Sequence, residues 1–177
     1  MNILISIFKV LLICFLISVS QYSSASDYVE IARNISIHVA DAGKALSQYE
    51  SALKGENESS PGYSEAAGSL YYMHLLASNL LLQSSVIGAP HEMRNDRRLE
   101  YVKFVSDHLR LAISISKNTM QLLRAVEPSL PDNILLRSSF KRFIEEIEEG
   151  ESYVGNFFLL HDQQKPGDVV NIEIKEQ

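Results

Sequence analysis

Apolar residues recur along most of the chain at alternating steps of three and four, which is the spacing of one face of an α-helix. The first such stripe lies between Asp27 and Lys54 and includes Ile35, Val39 and Leu46. Gly55 follows it, and a glycine in this place predicts the end of a helix. Strand-like alternation is nearly absent before the last residues of the chain. The pattern therefore predicts an all-α protein.

The second helix is predicted to begin at Ser60 and Pro61, because serine is a good N-cap and proline is tolerated at the first helical position. Gly88 predicts its end. Four leucines widen its apolar stripe well beyond one face: Leu75, Leu76, Leu81 and Leu82. A helix that is apolar around most of its surface is usually buried. We therefore expect the second helix to be the most buried of the set.

The third helix is predicted to be capped by Asn95 or Asp96 and to run to about Val126. Beside its core stripe it carries a second apolar stripe, which contains Tyr101, Phe104, His108, Leu111, Ile115 and Leu122. A bundle helix needs only one apolar face, so the extra stripe either widens the internal core or offers a surface to a partner. The sequence leaves both readings open. The candidate partner-binding residues on this helix are Tyr101, Phe104, Leu111 and Ile115.

The fourth helix is predicted to open near Pro131 and Asp132, since proline is tolerated in a first turn and a carboxylate suits the helix dipole. Gly150 is expected to kink or end it, because glycine weakens a helix interior. Short loops between four long amphipathic segments favour antiparallel neighbours. The prediction for residues 26–161 is therefore an up-down-up-down four-helix bundle.

The first 25 residues have the pattern of a signal peptide. An apolar stretch containing Lys9 is followed by the small residues Ser23 and Ala25, at positions minus three and minus one of a cleavage site. The apolar block after Lys9 is about half the 20 or so residues that a membrane helix needs. We therefore predict cleavage after Ala25, in preference to an uncleaved anchor or a lipid on Cys14, and a periplasmic or secreted mature chain.

The predicted cleavage changes the composition of the protein. The only cysteine leaves with the leader, so the mature chain can form no disulfide, but 177 minus 25, or 152 residues, can sustain one ordinary core. Lys9 also leaves, which gives a net charge of 15 minus 22, or −7. This charge disfavours nucleic acid and anionic membranes as partners. Asn34 and Asn57 lie in N-x-S/T triplets and are glycosylation sites only if the host modifies them.

The titratable residues do not match a known metal or haem motif. C-x-x-C-H, H-E-x-x-H and paired Glu-x-x-His are all absent from the sequence. Folding the helices back about their loops puts His74 and His108 at one height, with His38 and Glu148 near that level. All four lie beside the core stripes, so we interpret them as boundary residues. The sequence predicts no metal site and no cofactor.

Two charged clusters admit a structural and a functional interpretation. The acidic run from Glu145 to Glu151 is typical of solvated helical surface, with a docking patch as the alternative. Arg94, Arg97 and Arg98 lie near the start of the third helix, where the helix dipole disfavours positive charge. They are expected to pair with acids from another loop, and anion binding is the alternative.

The last residues, 162–177, differ from the rest of the chain. Pro166 and Gly167 stop a helix, and Val170, Ile172 and Ile174 then alternate with mostly polar residues. A lone strand in a helical protein has no internal sheet to complete its hydrogen bonds. The tail is therefore disordered, or it lies in a groove on the bundle, or it adds a strand to a partner or to a copy of the chain, with Ile172 and Ile174 filling pockets.

No nucleophile elbow such as G-x-S-x-G is present, so no catalytic residue is assigned and the protein is predicted not to be an enzyme. The leading prediction is an exported bundle that works by binding another protein or a copy of itself, as an adaptor, inhibitor, immunity factor or chaperone does. The alternative is a periplasmic bundle that binds a small ligand or a metal ion.

Overall fold

The computed structural model describes the backbone of residues 2–89 and 95–163, and the side chains of residues 27–89, 97–98 and 100–160. Four helices occupy most of this part of the chain: α1 (Asn2–Lys54), α2 (Tyr63–Gly88), α3 (Asn95–Val126) and α4 (Ile134–Gln163). A short 3₁₀ helix, Glu127–Ser129, follows α3, and no strand occurs among the described residues. The prediction of an all-α protein with four helices is confirmed. The predicted tail strand, with Ile172 and Ile174, lies outside the described residues.

The core is built from the apolar stripes of all four helices. Its largest fully buried side chains include five aromatic rings: Tyr28, Tyr49, Phe140, Phe143 and Phe157. All five belong to α1 or α4, and these two helices share the most extensive interface of the fold. Aromatic side chains bury more apolar area than any others, so this pair supplies a large part of the packing energy.

The contacts of α1 show how its neighbours lie beside it. On α2, Ser84 contacts Ser36 and Ser69 contacts Tyr49, with oxygen–oxygen distances of 2.7 and 2.6 Å. On α4, Phe157 packs on Tyr28 and Phe140 packs on Tyr49, with ring centroids 5.6 and 5.9 Å apart. As the residue numbers rise along α1, the numbers of the contacting residues fall along α2 and along α4.

The start of α2 differs from the prediction. Ser60 and Pro61 lie in the preceding turn, and Gly62 precedes the first helical residue with a φ of 80°. A Cβ atom on Gly62 would lie 1.9 Å from the carbonyl oxygen of Ser129. The close approach of the two loops therefore requires a glycine with a left-handed backbone, and this contact overrides the serine–proline cap signal.

The start of α4 also lies later than predicted. Asn133, rather than Pro131 or Asp132, caps the helix, because its Oδ1 accepts hydrogen bonds from the amides of Leu135 and Leu136 at 3.0 and 3.1 Å. The side-chain Nδ2 of Asn133 donates to Oε1 of Glu56, in the loop between α1 and α2, at 2.6 Å. One asparagine thus caps α4 and ties the two loops together.

The predicted early end at Gly150 is wrong, since α4 continues to Gln163. Gly150 is buried, and a Cβ atom there would lie 2.7 Å from Leu80 Cδ2 and 3.2 Å from His38 Cβ. The glycine therefore serves the close packing of α4 against α1 and α2. A single sequence does not distinguish this use of glycine from a helix stop.

The expectation that α2 is the most buried helix is also wrong. Leu76 is buried, but Leu75, Leu81 and Leu82 are exposed, and so is Tyr71. The broad apolar surface of α2 therefore faces solvent on one side.

Helix α1 begins at Asn2 and passes through Ala25 without interruption, whereas the sequence predicted a leader that ends there. The side chains of this leader, including Cys14, lie outside the described residues, and its cleavage stays a prediction. Among the residues described with their side chains, no helix has the length and hydropathy that a membrane span requires.

Candidate functional site

The extra apolar stripe of α3 is mostly on the surface. Phe104, Leu111 and Ile115 are 64%, 62% and 49% exposed, while Tyr101 is partly buried against the core. The extra stripe was expected either to widen the core or to offer a surface to a partner. Of the four candidate residues on α3, only Tyr101 contributes to the core. The exposed part of the stripe is available to a partner, and its binding role stays a prediction.

A groove between α2 and α3 runs along this exposed stripe. It consists of two adjoining cavities of about 230 and 320 Å³, which share Asn79 and Leu82. Besides these two, the apolar side chains that line it are Leu75, Leu76, Val86, Phe104, Val105, Leu109, Ala112 and Ile115. We call this feature the α2–α3 groove.

Asn79 fixes the two walls of the groove relative to each other. Its Nδ2 atom on α2 donates to the carbonyl oxygen of Ala112 at 3.2 Å and to the hydroxyl of Ser116 at 2.6 Å, both on α3. Hydrogen bonds that join two helices by their side chains restrict sliding of one helix along the other. The groove is therefore a shape held by the fold.

The α2 wall of the groove carries no charge. After Glu65, α2 contains no Asp, Glu, Lys or Arg up to its end at Gly88. A solvent-exposed helix normally carries charged residues on its outer face. Depletion of charge is instead typical of the centre of a protein interface.

Gln83 is the least satisfied polar residue of the groove. Its side chain is only 1% exposed and lines the smaller cavity. Among the described residues, neither Oε1 nor Nε2 of Gln83 has a hydrogen-bond partner. A buried polar group without a partner costs about 1–3 kcal/mol. An occupant of the groove that offers both a donor and an acceptor would remove this cost.

The four residues that the sequence placed near one level do not come together. His108 lies in the wall of the groove, where its ring packs 4.4 Å from the ring of Phe104. His74 is exposed on α2, and Glu148 pairs with Arg124 on the outside of α3. His38 instead faces α4. These four residues therefore form no common cluster among the described residues, but His38 has carboxylate neighbours of its own.

Those neighbours come from the acidic run of α4. His38 Nδ1 lies 2.9 Å from Oε2 of Glu146 and 3.6 Å from Oε2 of Glu149. The ring of His38 also stacks on Tyr153, with centroids 5.6 Å apart and planes at 25°. The acidic run is thus not uniformly solvated, because the side chain of Glu146 is only 18% exposed.

Glu151, in the same run, is also half-buried. Burial raises the pKa of its carboxyl group, and the nearby Glu148 acts in the same direction. The hydroxyl of Ser116 and the ammonium of Lys117 oppose this rise in part. Since Oε1 of Glu151 has no hydrogen-bond partner among the described residues, the carboxylate is poorly solvated in the fold.

The remaining candidates form no site in the described part of the chain. Arg94 lies outside the described residues, Arg97 is exposed and Arg98 is half-buried near the start of α3. Asn34 is half-buried on α1, and Asn57 is exposed in the first loop.

Comparison with protein-family models, with curated proteins and with solved structures finds no match for this chain.

Proposed function

We propose that the mature chain is an exported up-down-up-down bundle that acts by binding another protein through the α2–α3 groove, and that it is not an enzyme. The observation that carries this proposal is the combination of exposed apolar side chains with an uncharged α2. Exposed apolar patches of this kind mark interaction sites in soluble proteins.

The shape of the groove favours a helix as its occupant. Two neighbouring helices with apolar residues spaced by threes and fours form holes that accept the side chains of a further helix. Leu75 and Leu82 on one wall face Phe104 and Ile115 on the other. A partner helix would therefore need an apolar stripe with little charge at its centre.

We infer that this partner is a second copy of the chain. Its own α2 and α3 carry the required apolar stripes, and one surface that meets itself is the usual interface of a symmetric dimer. The mature chain has a net charge of 15 minus 22, or −7, which opposes close approach of two copies in general. The uncharged α2 is the surface at which this repulsion is weakest.

Sedimentation velocity over a range of protein concentrations tests the proposal. We expect the wild type to dimerise, and Leu82→Glu or Ile115→Glu to give monomers because each puts a charge into the groove. Ile134→Glu is the matched control, since Ile134 is 89% exposed at the start of α4 and lines no part of the groove. This control should dimerise like the wild type.

Helicity measured by circular dichroism must be the same for all four proteins, so that loss of the dimer is not loss of the fold. A wild type that stays monomeric at every soluble concentration would contradict the proposal. So would groove variants that dimerise as well as the control.

The unpartnered amide of Gln83 favours a second candidate function, which is binding of a small apolar ligand with one donor and one acceptor. The cavity of about 230 Å³ beside Gln83 lies below the usual volume of a drug-sized ligand site, so the ligand would be small. Native mass spectrometry tests this candidate. A bound molecule that is released on denaturation and absent from Gln83→Leu would support it, and a ligand-free wild type would exclude it.

A further inference from the structure

His38, Glu146 and Glu149 bring three metal-ligating atoms together on the α1–α4 side of the fold. One nitrogen and two carboxylate oxygens, one atom from each residue, lie within 4.8 Å of one another. This cluster combines an imidazole of α1 with two carboxylates that lie three residues apart on one face of α4. It is therefore chemically distinct from a plain patch of surface glutamates.

The spacing of the donor atoms suits a small metal ion. Zinc binds histidine nitrogen and carboxylate oxygen at about 2.0–2.2 Å, so two ligand atoms of a tetrahedral site lie about 3.4 Å apart. His38 Nδ1 is 2.9 Å from the Glu146 oxygen and 3.6 Å from the Glu149 oxygen. Small rotations of the side chains would bring both distances to the value that an ion needs.

The fold holds two of the three ligands in place. The side chains of His38 and Glu146 are 17% and 18% exposed, and the ring of His38 stacks on Tyr153. Arg142 Nε lies 3.8 Å from the other carboxylate oxygen of Glu146, and such contacts to the outer oxygen of a ligand orient it. Gly150 allows α4 to approach α1 closely at this level, because a Cβ atom there would lie 3.2 Å from His38 Cβ.

Glu149 supplies the exposed side of the cluster. Its side chain is 69% exposed, so an ion can enter from solvent and a water molecule can complete its coordination. Three protein ligands and one water is a common zinc geometry. A histidine in the ligand set favours zinc and its neighbours in the first transition row over Mg²⁺ and Ca²⁺, which prefer oxygen alone.

We propose that His38, Glu146 and Glu149 bind one divalent transition-metal ion, with Zn²⁺ as the best-fitting ion. Coordination by His38 Nδ1 replaces its contact with Glu146 and requires the neutral imidazole. The ion joins α1 to α4 and stabilises their packing. The site is formed by α1 and α4 alone, so it does not depend on the proposed role of the α2–α3 groove.

The test measures zinc binding by the purified wild-type protein after treatment with EDTA and gel filtration. Equilibrium dialysis followed by elemental analysis should find one Zn²⁺ per chain, and the same treatment with Mg²⁺ should find none. His38→Gln and Glu149→Gln should each weaken zinc binding by about tenfold or more, because each removes a ligand.

Two variants provide matched controls. His74→Gln and Glu145→Gln make the same chemical changes at exposed positions outside the cluster, so both should bind zinc like the wild type. A second measurement is the thermal midpoint, which Zn²⁺ should raise in the wild type and in both controls but not in His38→Gln.

Glu149→Gln keeps the test decisive if His38→Gln fails to fold, since Glu149 is mostly exposed. Absence of stoichiometric zinc from the wild type would overturn the proposal, and would leave His38 and Glu146 as a hydrogen-bonded pair. Zinc binding that persists unchanged in both ligand variants would also overturn it.

Discussion

Residues of one type can have very different surroundings in this fold. The two glycines of α4 show this most clearly. Gly150 lies against Leu80 and His38, whereas nothing lies within 4 Å of a Cβ atom added to Gly155. Gly155→Ala should raise the free energy of unfolding by about 0.5–1 kcal/mol, because alanine is the better helix former. Gly150→Ala should lower it, because overpacking typically costs about 1–3 kcal/mol and outweighs that gain.

Urea denaturation of the two variants measures both changes. Both variants replace glycine by alanine in the same helix and gain the same helix propensity. The difference between their free energies of unfolding therefore measures the effect of the close contact at Gly150. Equal stabilisation by both substitutions would mean that α4 packs less closely on Leu80 than the structure shows.

Glu151 is a single residue that makes the stability of the fold depend on pH. Its carboxyl group has a pKa raised by burial, so the folded protein holds this proton more tightly than the unfolded chain does. Such a group stabilises the fold fully below its unfolded pKa, near 4.5, and this contribution is lost as the pH rises through the raised value. Glu151→Gln should therefore stabilise the protein at pH 7 and lose this advantage in acid.

The comparison variant for Glu151 is Glu145→Gln. Glu145 is exposed and lies 3.7 Å from Lys141, so its replacement should change stability little at either pH. Thermal midpoints measured across the acid range give both results. A Glu151→Gln variant that is less stable than wild type at pH 7 would show that the carboxylate is better solvated than its surroundings indicate.

At the scale of helices, the sequence predicted which segments are helical but not how they begin. The apolar stripes report burial directly, and α3 ends at Val126 as predicted. Caps depend on what a loop touches, and the contact of Gly62 with Ser129 joins residues far apart in the chain. For the same reason the serine–proline signal at residue 60 could not reveal the true start of α2.

The close contact between Gly62 and Ser129 can be tested by substitution. Gly62→Ala should be strongly destabilising, because a left-handed backbone costs a residue with a side chain about 1–3 kcal/mol and the new methyl group also meets the Ser129 carbonyl. Gly68→Ala, farther along α2, should be neutral or stabilising, since nothing lies within 4 Å of its Cβ position. Chemical denaturation measures both, and equal effects would argue against the tight contact between loops.

At the scale of the whole molecule, the candidate sites were only partly predictable. Folding the helices about their loops gave the height of His38 along the bundle but paired it with Glu148, whereas its actual neighbours are Glu146 and Glu149. An error of two residues turns a helical side chain to the opposite face. Likewise, the leucines of α2 have the same pattern whether they are buried or face a partner, so sequence alone could not distinguish a core from the α2–α3 groove.

The predicted processing of the amino terminus determines which residues remain in the mature protein. The described core begins at Tyr28, which is fully buried and packs on Phe157, and Tyr28 lies just after the predicted cleavage site. Cleavage after Ala25 would therefore keep the contact between Tyr28 and Phe157 in the mature chain. Amino-terminal sequencing of the exported protein should begin at Ser26, because Ser23 and Ala25 are the small residues that the processing enzyme needs.

Two variants make this last prediction specific. Ala25→Lys should block cleavage, since a long charged side chain does not fit where a small one is required, and the chain should then retain Met1. Cys14→Ser should be processed like wild type, because the predicted cleavage after Ala25 does not involve a lipid on Cys14. A wild-type chain recovered with Met1 in place, or with a lipid on Cys14, would show that the leader is an anchor and that the bundle works at a membrane surface.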